Sequence, residues 1–229
     1  MPSPKNKKET FKDLLARLKQ DSVSSPVKVA TLKKRKYFLI VTEGVRTEPI
    51  YFNYIKKMLP KYLIDTVEVS GAGDNTVNVV KIAIEERNKR LADKLKPKFD
   101  EVWAVYDKDD FPHRRFNDAE KIAIANSIES GHTNQAFELW YVLHFQFLDT
   151  KIDRNAYFDI LSGILKNKYK KNDENTVAQI FRRGDVATAI RHANTLEKMH
   201  KGKTPAKSWP VTRVHHLVQK LLKYADTIE

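Results

Sequence analysis

The residues of this chain best able to do chemistry are three acids that end two apolar runs. Glu43 follows "FLIVT" (Phe38 to Thr42) directly and precedes Gly44. Asp107 and Asp109 follow "VWAVY" (Val102 to Tyr106) within Asp107-Lys108-Asp109-Asp110. A strand that runs straight into a carboxylate fixes that acid at one point. Two acids two residues apart on extended backbone aim the same way. Oxygen-only clusters of this kind suit hard cations such as Mg²⁺ or Mn²⁺. Gly44 permits a tight turn and leaves space for a phosphate group. The plainer alternative is that Glu43 caps a helix and the aspartates form a solvated acidic turn. Two such motifs, each at a strand end, favour the metal reading.

Elements must hold these acids, and the pattern supplies them. "YFLIVT" reads as a strand buried on both faces. "TEPIYFNYIKKML" reads as a helix, capped by Thr47 and with Pro49 in its first turn. "DTVEVS" (Asp65 to Ser70) is a second strand, and "GAGDN" a turn whose Asp74 or Asn75 caps the helix "TVNVVKIAIEERNKRLADKL". "DEVWAVYD" is a third strand and "FNDAEKIAIANSIES" a third helix. A fourth strand is expected near Gly131–Asn134, followed by the helix "AFELWYVLHFQF". This alternation predicts an α/β fold with a mostly parallel sheet flanked by helices. In such a sheet the crevice lies beyond the carboxyl ends of the strands, where Glu43, Asp107 and Asp109 fall. After Leu148 strands are no longer expected. "NAYFDILSGILKNKYK", "DVATAIRHANTLEKMH" and "VTRVHHLVQKLLKYA" read as helices. The division is a basic leader over 1–35, an α/β core over 36–150, and a helical region over 151–229, packed on the core or appended to it.

Composition narrows the function classes. The 229 residues carry a net charge of +13 and no cysteine. Thiol catalysis, disulfides and cysteine-held zinc are excluded. No apolar run reaches the roughly 18–20 residues of a membrane span, and "MPSPKNKKET" lacks the apolar stretch of a secretory signal. A cytoplasmic protein is expected, with no membrane partner. Residues 1–36 hold eleven Lys/Arg against Glu9, Asp13 and Asp21, so most of the excess charge sits there. Such a charge balance suits a polyanionic partner, DNA or RNA, or else a solvated tail.

The Glu-Gly strand end with a later Asp-x-Asp strand end resembles the Toprim domain of topoisomerases, primases and several nucleases. That resemblance implies a general acid/base role for Glu43 and divalent-metal binding by Asp107 and Asp109. More narrowly, "VTEGVRTEPIYF", "VYDKDDF", "TNQAFELWYVLHF" and "WPVTRVHHLVQKL", in order across about residues 37–222, are similar to the RloB-like proteins, a prokaryotic family linked to restriction and abortive-infection defence. The chain departs from that pattern at Thr133-Asn134-Gln135, where Ser-Asn-Pro is expected. The resemblance implies a Toprim-like core, a metal-dependent nuclease of phage-defence type acting on DNA or RNA (tRNA included), and a defence-system ATPase as partner.

Glu138 and His144 stand in the third matching block. A spacing of six puts them on different faces of a helix. Glu138 lies among Phe137, Leu139 and Trp140, where an unpaired acid is costly. It is either a metal- or ligand-positioning acid or half of a buried ion pair, for example with an arginine. His144 is a catalytic or phosphate-contacting group, or else a satisfied core histidine. Glu48, in the first turn of its helix and close to Glu43, is a catalytic acid or second-metal ligand, or a plain helix N-terminal acid. Asp110 is a further metal ligand or a solvated residue, and Glu43 is counted among the ligands too.

Weaker signals remain. "GAGDNT" lacks the third glycine of a dinucleotide turn, and no Walker A sequence occurs. His215 and His216 are adjacent, so a helix projects them differently and no metal pair is expected. "ILKNKYKK", "FRRGD" and "HKGKTPAKSWP" interleave cations with Tyr169, Phe181 and Trp209, a pattern for phosphate contacts with base stacking. Three functions are open on these residues: a Mg²⁺- or Mn²⁺-dependent nuclease, a non-catalytic nucleic-acid or partner-binding module of a defence system, and a phosphohydrolase with Asp107 as nucleophile.

Overall fold

The structure, a computed structural model, describes residues 35–226. Nearly all of the basic leader, including "TFKDLLARLKQ", lies outside the described residues. Four strands, β1 (Phe38–Thr42), β2 (Val67–Gly71), β3 (Glu101–Val105) and β4 (Glu129–Ser130), form one all-parallel sheet in the order β2-β1-β3-β4. Helices α1 (Thr47–Met58), α2 (Thr76–Ala92), α3 (His113–Ala125) and α4 (Glu138–Leu143) belong to this half. Helices α5 (Arg154–Leu165), α6 (Glu174–Arg183), α7 (Val186–Met199) and α8 (Val214–Asp226) follow. The chain is thus α/β with helices at its C-terminal end.

Alternation along the strands makes two apolar layers. Phe38, Ile40, Trp103 and Val105 face Tyr51, Phe52 and Ile55 of α1 and the helices α4–α8. Leu39, Val41, Val102 and Ala104 face Val79, Val80 and Ala83 of α2 and Phe116, Ala119 and Ala123 of α3. That is why β1 is apolar up to Thr42: all five of its residues are buried. Each large side chain so buried contributes about 1.5–3 kcal/mol. Tyr157, Leu161, Val177, Ile180, Ala189 and Leu217 join the first layer, and α5 and α7 pack on α4, α6 on α1 and α8 on α7. Connections leave β1 toward β2 over one face and return to β3 over the other, so the winding reverses between β1 and β3. Crevices form at such a reversal.

Several expectations are corrected. The strand near Gly131–Asn134 divides. β4 lies earlier, and Thr133–Asn134 (β5) pairs antiparallel with Val211–Thr212 (β6), so strands do not stop at Leu148. Thr47 is the first residue of α1 rather than its cap, and its hydroxyl donates to Asn172 Oδ1 at 2.6 Å. Asn75 does occupy the cap position of α2, but its side chain makes no capping bond to the helix and bonds Asp74 and Arg115 instead. Helix α6 was not anticipated. Its start carries a sequence signal all the same: Asp173 accepts from Thr176 N–H at 3.0 Å. Asp153 and Asp185 cap α5 and α7 in the same manner, each worth about 1 kcal/mol.

Candidate active site

The acids meet because β1 and β3 are neighbours in register. Thr42 stands opposite Val105, and Glu43 N–H extends the ladder to the Val105 carbonyl at 2.8 Å. Glu43 Oε2 then accepts from Asp107 N–H at 2.9 Å, across the gap between the two strand ends. Asp107 makes one more parallel bridge, to Thr133. Its Oδ2 accepts from Phe137 N–H at 2.8 Å, just ahead of α4.

The turn after Glu43 brings in Glu48. Thr42 Oγ1 donates to the Gly44 carbonyl at 2.8 Å and holds the turn. A Cβ at Gly44 would stand 2.1 Å from Glu48 Oε2. The glycine therefore makes room for a carboxylate of this chain, where the sequence suggested room for a phosphate. Glu48 is buried, as is Glu138, whose Oε1 accepts from the Tyr169 hydroxyl at 2.9 Å. The partner of Glu138 is thus a phenol, where an arginine was one expectation.

Asp109 departs from the expected strand pair. Its φ of 46° is left-handed, so the backbone turns between the two aspartates. Asp107 points into the protein, and Asp109 sits at the rim, 2.8 Å from Arg154 Nη2. Asp110 lies outside the cluster: its side chain is 89% exposed and 3.4 Å from the same guanidinium.

Burial and crowding raise these acids together. Burial pushes Glu43 from 4.5 up to about 8, against the Asp107 N–H, with Asp109 and Glu48 adding to the rise. Burial likewise pushes Glu48 up to about 7, and the Glu138 charge adds to it. Asp107 is driven well above the usual carboxylate range by burial and then by Glu48, Asp109, Glu43 and Glu138. Asp109 is raised by burial, against the pull of Arg154 and Lys171. Lys171 also draws Glu43 and Glu48 downward.

The donor set fits a hard cation. Asp107 Oδ1 and Glu48 Oε2 are buried and have no hydrogen-bond partner. An orphaned buried acceptor costs about 1–3 kcal/mol, and more when charged. A divalent ion is the kind of group both oxygens lack. The fit is to an open hold: among the described residues, no three of these acids each place an oxygen within 4.8 Å of the others. Mg²⁺ is commonly held by one or two carboxylates, with water and phosphate oxygens completing its shell.

His144 stands apart from the acids. Its Nδ1–H donates to the Trp140 carbonyl at 2.8 Å, and Nε2 lies 3.2 Å from the Tyr51 hydroxyl. Both nitrogens are used, and burial pushes the ring down to about 4. This is a satisfied core histidine in an aromatic nest. Tyr169 and Phe181 are also not free for base stacking. Tyr169 is buried and stacks on Phe158, and Phe181 stacks on Tyr51 and Tyr54. Sequence reasoning missed Tyr169 as the holder of Glu138, Arg154 as the partner of Asp109, and Lys171 as the cation acting on three acids. All three lie over forty residues from β3, and no local pattern links them to it.

A protein-family model described as RloB-like protein matches residues 38–221. No curated protein and no solved structure matches the chain.

Proposed function

The chain belongs to the RloB-like protein family, and from that premise we propose that the strand-end acids form the centre of a Toprim-like, divalent-metal-dependent nuclease of phage-defence type. One observation carries the reading: two buried carboxylate oxygens without partners, Asp107 Oδ1 and Glu48 Oε2, within a set of acids that raise one another. Asp107 and Asp109 would hold Mg²⁺ or Mn²⁺, with Glu48 as a further ligand. Bound there, such an ion offsets charge on a phosphate and makes a water molecule more acidic. Glu43 serves as general acid/base: its Oε2 is fixed by Asp107 N–H, leaving Oε1 to carry the proton. A carboxyl raised to about 8 holds that proton at neutral pH, and a cation nearby brings it toward the working range. Glu138, held by Tyr169, stiffens the wall behind Asp107 and Glu48.

A polyanion has a path to these acids. Segment 166–173 between α5 and α6 carries Lys166, Lys168, Lys170 and Lys171. Lys171 acts on Glu43, Glu48 and Asp109, while Lys168, Lys170 and Arg182 line a cavity of about 1010 Å³ beside Tyr54 and Phe181. Cations strung from a cavity to an acid cluster suit a nucleic-acid backbone. DNA and RNA, tRNA among them, are the substrates to try, with a defence-system ATPase as the protein partner.

The wide spacing of the acids favours a second reading, a nucleic-acid or partner-binding module without turnover. The deciding experiment incubates the purified chain with a panel of DNA and RNA, with and without Mn²⁺, beside Asp107→Ala. Cleavage that needs Mn²⁺ and Asp107 supports the nuclease. Salt-sensitive binding with no cleavage under any metal supports the module.

A further inference from the structure

A second group of ligating side chains lies away from the strand-end acids, where α7 meets the start of α8. Glu197, His215 and His216 bring one ligand atom each within 4.8 Å of one another. His216 Nε2 lies 2.8 Å from Glu197 Oε2, and His215 Nε2 lies 3.3 Å from the same oxygen. Helical spacing alone argued against the adjacent histidines as a pair. They converge because α8 begins here and Glu197 reaches both from the last turns of α7.

The state of His215 points to a ligand. Its ring is fully buried. Its Nδ1 lies 3.0 Å from the Thr212 carbonyl, which only accepts, so Nδ1 carries the proton. Nε2 then presents a bare lone pair to a carboxylate oxygen, and it makes no hydrogen bond. A buried imidazole lone pair turned onto a half-buried carboxylate oxygen calls for a positive centre between them. A ligating histidine is held in just this way, with its second nitrogen donated to a backbone carbonyl. The spacing also fits. Ligand atoms about 2.0–2.2 Å from a tetrahedral zinc ion stand roughly 3.3–3.6 Å apart. The His215 contact, at 3.3 Å, already matches, and the His216 contact, at 2.8 Å, needs to open by roughly half an ångström or a little more.

We infer that Glu197, His215 and His216 form a binding site for one zinc-class divalent cation, independent of the strand-end acids. Two imidazoles and one carboxylate are a borderline donor set, which favours Zn²⁺ over Mg²⁺. Glu197 Oε1 is steadied by Arg213 Nε at 3.2 Å, and Arg213 is itself paired with Glu120 at 2.9 Å. Three protein ligands leave a fourth position. Glu197 and Arg213 also line a cavity of about 510 Å³ with Lys198, Lys201 and His200, and that cavity admits water or a small anion to the open position. The ion would pin α7 to α8, and through β6, two residues ahead of α8, to the β5 loop that precedes α4.

The test uses the full chain, stripped with a chelator, dialysed, and titrated with Zn²⁺ alone by calorimetry, with thermal melts alongside. Expected are one tight equivalent and a zinc-dependent rise in melting temperature. Affinity falls at least about tenfold in both His216→Ala and Glu197→Gln, each checked by circular dichroism. Glu197→Gln keeps the size of the side chain, so it reports on ligation should His216→Ala fold poorly. Co²⁺ in place of Zn²⁺ gives the strong visible band of a tetrahedral site in the wild type and loses it in both variants. Asp107→Ala keeps the tight equivalent. No tight Zn²⁺ in the wild type, undiminished binding in Glu197→Gln, or loss of the site in Asp107→Ala each overturns the inference. The last result would put the ion at the strand-end acids instead.

Discussion

Replacing Glu43 by glutamine should make the protein more stable at alkaline pH when divalent ions are absent. The folded state raises Glu43 from 4.5 to about 8, so it binds a proton that the unfolded chain has released across that window. Stability then falls as pH climbs through the window, because the folded state must give up the proton at a cost. At about 1.36 kcal/mol per pH unit, the full cost of the ionised form is about 5 kcal/mol at most. Relaxation and water entry at this partly exposed side chain reduce it to about 2–4 kcal/mol. Glutamine keeps the shape and still accepts from Asp107 N–H, but carries no charge. With about 2–4 °C per kcal/mol for a chain of this size, Glu43→Gln should melt roughly 4–16 °C above wild type near pH 9 in chelator. The two should melt together near pH 4. Scanning calorimetry in chelator across that range is the assay. A gap that does not close on acidification, or a variant less stable than wild type near pH 9, refutes the electrostatic account of the cluster.

Other outcomes follow from the same geometry. Gly44→Ala forces a Cβ onto the Glu48 carboxylate and should cost about 1–3 kcal/mol; adding Glu48→Ala should recover part of that loss, and a denaturant double-mutant cycle measures the coupling. His144→Ala should cost about 2–4 kcal/mol through a core cavity and two lost bonds, while the folded fraction keeps any metal-dependent cleavage unchanged per molecule. Arg154→Ala breaks a partly exposed pair and should change stability by under about 1 kcal/mol, yet tighten Mn²⁺ binding by calorimetry, because it removes a cation that competes for Asp109.

Much of this architecture was legible because it rests on local pattern. The apolar runs Phe38–Val41 and Val102–Tyr106 declared strands buried on both faces, and an acid at or just past the end of each pointed to a strand-end site. Strand adjacency was not legible, since pairing is set by how α1 and α2 cross the sheet. What surrounds the acids was less legible still. Glu48 was visible as a helix N-terminal acid, but its burial against Gly44 depends on a turn that Thr42 locks. Tyr169, Arg154 and Lys171 come from the C-terminal helices and the loop between them, and no periodicity ties them to β3. His144 read as a candidate on family resemblance, and the aromatic packing of Tyr51 and Trp140 accounts for it instead. His215 and His216 were set aside by helical spacing. That rule describes pairs ligating from one helix face and does not cover two rings in a first turn meeting a carboxylate from another helix.

On the proposed function, Asp107 and its neighbouring acids gather a hard cation at the carboxyl ends of β1 and β3. Anomalous scattering from crystals grown with Mn²⁺ tests it most directly. The account predicts a peak in contact with Asp107 Oδ1, absent from crystals of Asp107→Ala. It is contradicted if Mn²⁺ at saturating concentration leaves that oxygen without an ion.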